Sequence, residues 1–110
     1  MPESGKKRVL IVDNNEEESG RLGTMLEQAG YESISTWSGL EALELLKGGE
    51  YDVLLVSSYL PDIYSGDFLE RLNRLPVRPC SIVMQEDHNP AATLLEVRRL
   101  TEEEKCRHPR

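Results

Sequence analysis

The sequence predicts an α/β fold: three layers, with one parallel sheet covered by helices on both faces. Three observations carry this expectation. Short runs rich in β-branched and aliphatic residues alternate four times with stretches of helical periodicity, the pattern of repeated βα units. Two of those runs, RVLIV and DVLLV, are apolar without interruption, as central strands buried on both faces require. Gly, Pro, Asn and Ser gather at the junctions, where helices start and stop.

Each element follows in order. Arg8 to Asp13 reads as the first strand. Asn14 or Asn15 can cap the helix that follows, and Glu16, Glu17 and Glu18 suit its positive N-terminal end. Leu22, Met25, Leu26 and Ala29 recur at helical spacing, and Gly30 ends the helix. Gly20 and Gly23 weaken it, by up to ~1 kcal/mol each relative to Ala. Tyr31 to Thr36 reads as a second strand with partial alternation. Ser38 and Gly39 open a second helix with Leu40, Leu43, Leu45 and Leu46 apolar, ended by Gly48 and Gly49. YDVLLVSS, from Tyr51 to Ser58, is the third strand. SGDFLERLNRL supplies a third helix with Phe68, Leu69, Leu72 and Leu75 on its apolar side, broken by Pro76 and Pro79. CSIVM is a fourth, short strand. Asn89 followed by Pro90 marks a helix start, and Ala91 to about Lys105 forms the fourth helix, with Leu94, Leu95, Val97 and Leu100 apolar.

The chain of 110 residues is expected to be one domain over 1–110, with its core at about 7–105 and flexible ends at 1–6 and 106–110. Its formal net charge is −7, which argues against the nucleic-acid backbone as a direct partner. No signal peptide is read at the start and no apolar run approaches ~18 residues, so a cytoplasmic location with no membrane contact is expected. Cys80 and Cys106 form no CxxC, and His88 and His108 do not join them at zinc spacing. Both cysteines are expected to be reduced.

In parallel sheets of this kind ligands sit at the carboxyl ends of strands. The residues there are Asp13 and Asn14, Thr36 to Ser38, Ser57 and Ser58, and Met84 to Asp87. No glycine-rich phosphate loop follows the first strand, since DNNEEESG is acidic. No Ser/His/Asp or Cys/His set converges at the strand ends. A small-molecule binder or an enzyme is therefore disfavoured.

The sequence resembles bacterial response-regulator receiver domains, the flavodoxin-like phosphoacceptor modules of two-component signalling. KRVLIVD, LEQAGYE, SGLEALELL and DVLLVSSYLPDIYSG carry the resemblance, in register over about residues 7 to 88. It implies an acidic pocket at Asp13 and Asn14, a phosphoacceptor position four residues before Pro61, at Ser57, and a Thr/Ser position at Met84. It also implies a fifth strand followed by lysine, usually Lys-Pro. The sequence contains no Lys-Pro, and the fold is expected to be truncated to about four βα units, with the fifth strand and helix missing. The loop from Pro61 to Gly66 carries one residue more than the family pattern, around Tyr64.

Each departure weakens the family's chemistry. A serine hydroxyl is a poor nucleophile without a neighbouring base. Mg²⁺ prefers several carboxylate or carbonyl oxygens; with Asn14 and Ser57 neutral, Asp13 is only a weak metal candidate and Mg²⁺ binding is expected to be weak or absent. Met84 offers no donor to a phosphoryl oxygen. The expectation is a pseudo-receiver that is not an enzyme and acts through protein contacts without Asp phosphorylation. Its fourth strand would be an open edge, and a homodimer through the fourth strand and fourth helix, using Leu94, Leu95, Val97 and Leu100, would cover it. Two alternatives stay open: an N-terminal receiver fragment of a longer response regulator, and a module regulated by phosphorylation of Ser57 or Ser58.

Overall fold

The computed structural model describes residues 7–76, 79–84 and 89–102. They form β1 (Arg8–Val12), α1 (Glu16–Gln28), β2 (Glu32–Thr36), α2 (Gly39–Gly48), β3 (Val53–Ser57), α3 (Ser65–Asn73), β4 (Cys80–Met84) and α4 (Pro90–Glu102). All four strands are parallel, in the order β2-β1-β3-β4. The expected flexible ends, the last turn expected of α4, Cys106 and both histidines lie outside the described residues.

Handedness fixes which helix covers which face. The step from β1 to β2 runs one way across the sheet, and the steps from β2 to β3 and β3 to β4 run the other. Right-handed crossovers then put α1 on one face and α2 and α3 on the opposite face. The core divides accordingly. Leu10, Val12, Leu54 and Val56 pack with Leu43, Leu46, Phe68 and Leu72 of α2 and α3. Val9, Ile11, Val53 and Leu55 pack with Leu22 and Leu26 of α1 and with Val97 of α4. The continuous apolar runs of β1 and β3 thus serve both layers.

The position of α4 is informative. A helix leading right-handedly to another strand beyond β4 would lie on the α2/α3 face. Instead, α4 packs beside α1, and a Tyr31–Thr101 hydroxyl pair at 3.0 Å ties its last turn to the start of β2. Among the described residues, β4 is therefore an open edge. Its Val83, paired with Val56, points to the α3 face and is 44% exposed.

The four α4 residues expected to meet a partner divide. Val97 is fully buried in the core, Leu94 is half-buried against the same cluster, Leu100 is half-buried, and Leu95 is 64% exposed. The cause is helical spacing: Thr93, Val97 and Thr101 are buried at intervals of four and form one stripe, and Leu95 falls on the far side of it. Val97 is occupied inside the molecule and is not available as a contact.

Local caps match the sequence. Asn15 accepts from Glu18 N at 3.1 Å and Ser38 from Glu41 N at 3.0 Å. Gly30, at φ 97°, takes the left-handed turn that ends α1. Gly39 is required by close approach: a Cβ there would lie 2.5 Å from Ile63 and 2.9 Å from Leu60. A second cap was not foreseen. Asp62, in the β3–α3 loop, accepts from Ser38 Oγ at 2.6 Å, Gly39 N at 3.0 Å and Leu40 N at 3.2 Å. These bonds pin the loop to the start of α2. One expectation fails: Cys80 is disulfide-bonded rather than reduced. Distance along the chain does not limit distance in the fold, so the lack of a CxxC motif had no bearing on it.

Two outcomes test this packing. In urea denaturation, Val97→Ala should cost about 2 kcal/mol, from the buried methyl groups removed. Leu95→Ala should stay within about 0.5 kcal/mol of the parent. The Asp62 carboxyl is held below its ordinary value, first by the Ser38 hydroxyl and also by the Gly39 and Leu40 amides. A lowered carboxylate contributes stability above its unfolded pKa and loses it as pH falls through the folded value. The Tm advantage of the parent over Asp62→Asn should therefore be full at neutral pH and vanish as pH falls below about 4; a gap independent of pH would refute the assignment.

Candidate functional site

The candidate site is set by register. Val12 pairs with Val56 and with Thr36, and Ser57 pairs with Met84. The carboxyl ends of β1, β3 and β4 are therefore level. Two backbone bonds extend that alignment past the strands: Asp13 N donates to Thr36 O and Ser58 N to Met84 O, both at 3.0 Å. The result is a cleft of about 920 Å³ that brings together Asp13, Asn14, Ser57 and Met84. Four positions singled out in the sequence thus converge at one place.

Their local roles are modest. Asp13 is half-buried, and its Oδ1 accepts from Asn15 N at 3.1 Å, closing the turn into α1. Asn14 is exposed. Ser57 Oγ accepts from Tyr59 N at 3.2 Å, a hydroxyl turn at the strand end. Met84 is 3% exposed and packs with Val9, Leu55 and Val97. No basic side chain is among the described residues lining the cleft.

β3 carries one carboxylate at its other end. Asp52 is buried and accepts from Arg8 N at 2.8 Å. Arg8 in turn stacks over Tyr51, with its guanidinium carbon 4.6 Å from the ring centroid. Five residues separate Asp52 from Ser57, about 16 Å at 3.3 Å per residue. Asp52 therefore belongs to the amino end of the sheet and not to the cleft.

Aromatic residues complete the cleft, and their part was not read from the sequence. Trp37 follows β2 and Tyr59 follows β3; both line the cleft, at 56% and 66% exposure. The signal was present in their placement, since a large side chain just after a parallel strand stands at the sheet's binding end. Glu16 and Glu18, from the first turn of α1, line the same opening. Glu18 also pairs with Arg21 at 3.5 Å. Among the described residues no group of three or more His, Cys, Asp or Glu side chains could hold a metal ion. No helix of the described residues is long and apolar enough to cross a membrane.

Comparison with known proteins agrees with this geometry. The polar-differentiation response regulator DivK of Brucella ovis is 40% identical over 57 residues, which are 52% of this chain and 46% of that protein. DivK of Brucella melitensis matches equally. The matched segment spans about half the length of these relatives. Among solved structures, the receiver domain of the Francisella response regulator 1452 superposes with a TM-score of 0.76 at 18% identity, covering 89% of this chain and 98% of that one. A CheY-like receiver domain from Methanospirillum hungatei gives 0.75 at 21% identity, with 92% and 98% covered. The family model described as the response regulator receiver domain matches residues 9–101. With that match across most of the chain, on a four-stranded parallel sheet of the same fold, the protein belongs to the response regulator receiver domain family.

Proposed function

We propose that this receiver domain works as a protein-interaction module whose output does not depend on Asp phosphorylation. The observation that carries the reading is the pairing of Ser57 with Met84. It supports, by register rather than by counting, the alignment of Ser57 with the phosphoacceptor position and of Met84 with the Thr/Ser position. Chemistry at that level is weak. Ser57 Oγ is engaged by a backbone amide, and no histidine or lysine is among the described lining residues that could act as its base. Of the cleft's carboxylates only Asp13 stands with the neutral groups of Asn14 and Ser57 at the strand ends; Glu16 and Glu18 lie on α1, and among the described residues the acids do not come together as a group of three that could hold a metal ion. On this reading the residues do not fit the family's metal. On this reading the domain is not an enzyme. The cytoplasmic location expected from the sequence belongs to the same proposal; in that reducing compartment the Cys80 disulfide would open.

A second copy of the chain fits the open edge. β4 lacks a neighbour on one side among the described residues, and Val83 with Leu69 of α3 leaves apolar surface beside it. A two-fold pairing of β4 edges would satisfy both rows of backbone groups and cover those side chains. Leu95, the exposed leucine of α4, is the remaining candidate on that helix for a contact.

Proton–nitrogen correlation spectra test the first proposal. Addition of Mg²⁺ and then beryllofluoride, a phosphoryl mimic for an aspartate acceptor, should leave the resonances of Asp13, Ser57 and Met84 in place. Saturable shifts there would show a working phosphoryl site. Light scattering over a hundredfold range of concentration tests the second. The parent should move from monomer to dimer mass and Val83→Asp should remain monomeric; a constant monomer mass for the parent would end the dimer proposal.

A further inference from the structure

The cleft at the sheet's carboxyl end combines three properties that its structural role does not require. It is roomy, at about 920 Å³. It exposes two large aromatic faces, Trp37 and Tyr59, of which Trp37 is the only tryptophan in the chain. Its charged lining is acidic, from Asp13, Glu16 and Glu18, and no lysine or arginine among the described residues lines it. Exposed aromatic surface beside a concave site marks a contact region rather than ordinary surface.

Charge decides what enters. A phosphorylated or carboxylate ligand would meet like charge from Asp13 and Glu16, with no lysine or arginine among the described lining residues to offset it. A cation meets the reverse. Carboxylates attract it through space, and the faces of indole and phenol attract it through their quadrupoles, most strongly when water is excluded. A hydrated metal ion would have to shed water to reach the rings, and among the described residues no group of three acids could hold it. A guanidinium or ammonium on an aliphatic stem gains from both, since the stem covers the rings while the head meets the acids. The size and openness of the cleft suit a side chain delivered on an extended backbone better than a small free ion.

We propose that this cleft receives a lysine or arginine side chain from a basic segment of a partner protein. Trp37 and Tyr59 are its walls, and Asp13 and Glu16 its counter-charges. The inference rests on the phosphorylation-independent reading above and specifies the partner's chemistry.

Trp37 emission reports binding directly. The full chain is titrated with a hexa-arginine peptide, with hexa-glutamate and with free arginine amide, and in parallel with Mg²⁺ and beryllofluoride. The basic peptide should give a saturable change that hexa-glutamate does not, with arginine amide far weaker. Tyr59→Ala and Asp13→Asn should each weaken peptide binding by about tenfold. Glu70→Gln, on the outer face of α3, should leave it within about twofold, as expected of an exposed charge away from the site. An equal loss in Glu70→Gln would mean diffuse attraction to an acidic protein and would overturn the proposal. Saturation by arginine amide as tight as by the peptide would overturn the assignment to a partner segment. No response to the peptide or to beryllofluoride overturns this inference alone. A response to beryllofluoride overturns the phosphorylation-independent reading and this inference with it.

Discussion

The hydrogen-bonded register of β1 against β3 is the constraint on which the molecule depends. Both strands are buried on two faces, so each residue must suit one of two different cores. Leu10, Val12, Leu54 and Val56 serve the α2/α3 side, and Val9, Ile11, Val53 and Leu55 serve the α1/α4 side. A slip of one residue would exchange every side chain between the two layers. The register is therefore held by eight apolar side chains at once. Because it is fixed, the ends of the strands are level, and Asp13 stands beside Ser57 through no interaction of their own. The functional surface is a by-product of core packing.

The same logic explains why some features were legible in the sequence and others were not. β1 and β3 could be placed because a continuous apolar run has one meaning in a chain that alternates strand with helix. The caps at Asn15 and Ser38 could be placed because their partners lie three residues on. The convergence of Asp13, Ser57 and Met84 could be anticipated once the strand ends were known. The bonds from Asp62 to Ser38 and Gly39 could not, since they join residues more than twenty positions apart across a loop whose path depends on the tertiary fold. The side on which α4 packs was also hidden. Its stripe of Thr93, Val97 and Thr101 includes two threonines, so apolar spacing alone pointed to Leu94, Leu95 and Leu100 as well. Periodicity read from hydrophobic residues misplaces a helix face that is lined in part by threonine methyl groups.

The side chosen by α4 shapes the whole surface. By packing beside α1 it completes the layer over Val9, Ile11 and Leu55, the layer that a lone α1 would leave half open. It leaves the other flank with only α2 and α3, and the β4 edge stands past their cover. Of the exposed apolar side chains, Val83 and Leu69 stand by the edge and Trp37 and Tyr59 by the strand ends, while Leu40, Tyr64 and Leu95 are exposed elsewhere. Neither the edge nor the cleft belongs to the core, and the two meet at Ser57 and Ser58, which line both. Trp37 and Tyr59, each more than half exposed, line the same cleft at the carboxyl end of the sheet.

If, as proposed, Asn14 and Ser57 stand at the family's acidic positions, their neutrality also changes what a switch could be. A cluster of carboxylates held together without a bound cation is under electrostatic tension, and a phosphoryl group or metal can release or reorganise it. Asn14 and Ser57 remove that tension at its centre. Asp13 then settles into a bond with the Asn15 amide, and Ser57 into one with the Tyr59 amide, each satisfied within its own turn. Asp13 Oδ1 and Ser57 Oγ are thus each engaged within their own turns. Under the proposed phosphorylation-independent reading, a change of state would come from a ligand that binds one conformation better than another. The groups still directed outward are aromatic rings and the carboxylates at the start of α1, and the ligand that profits from both is a basic side chain. Signal, on this view, enters the domain as an association and not as a covalent mark.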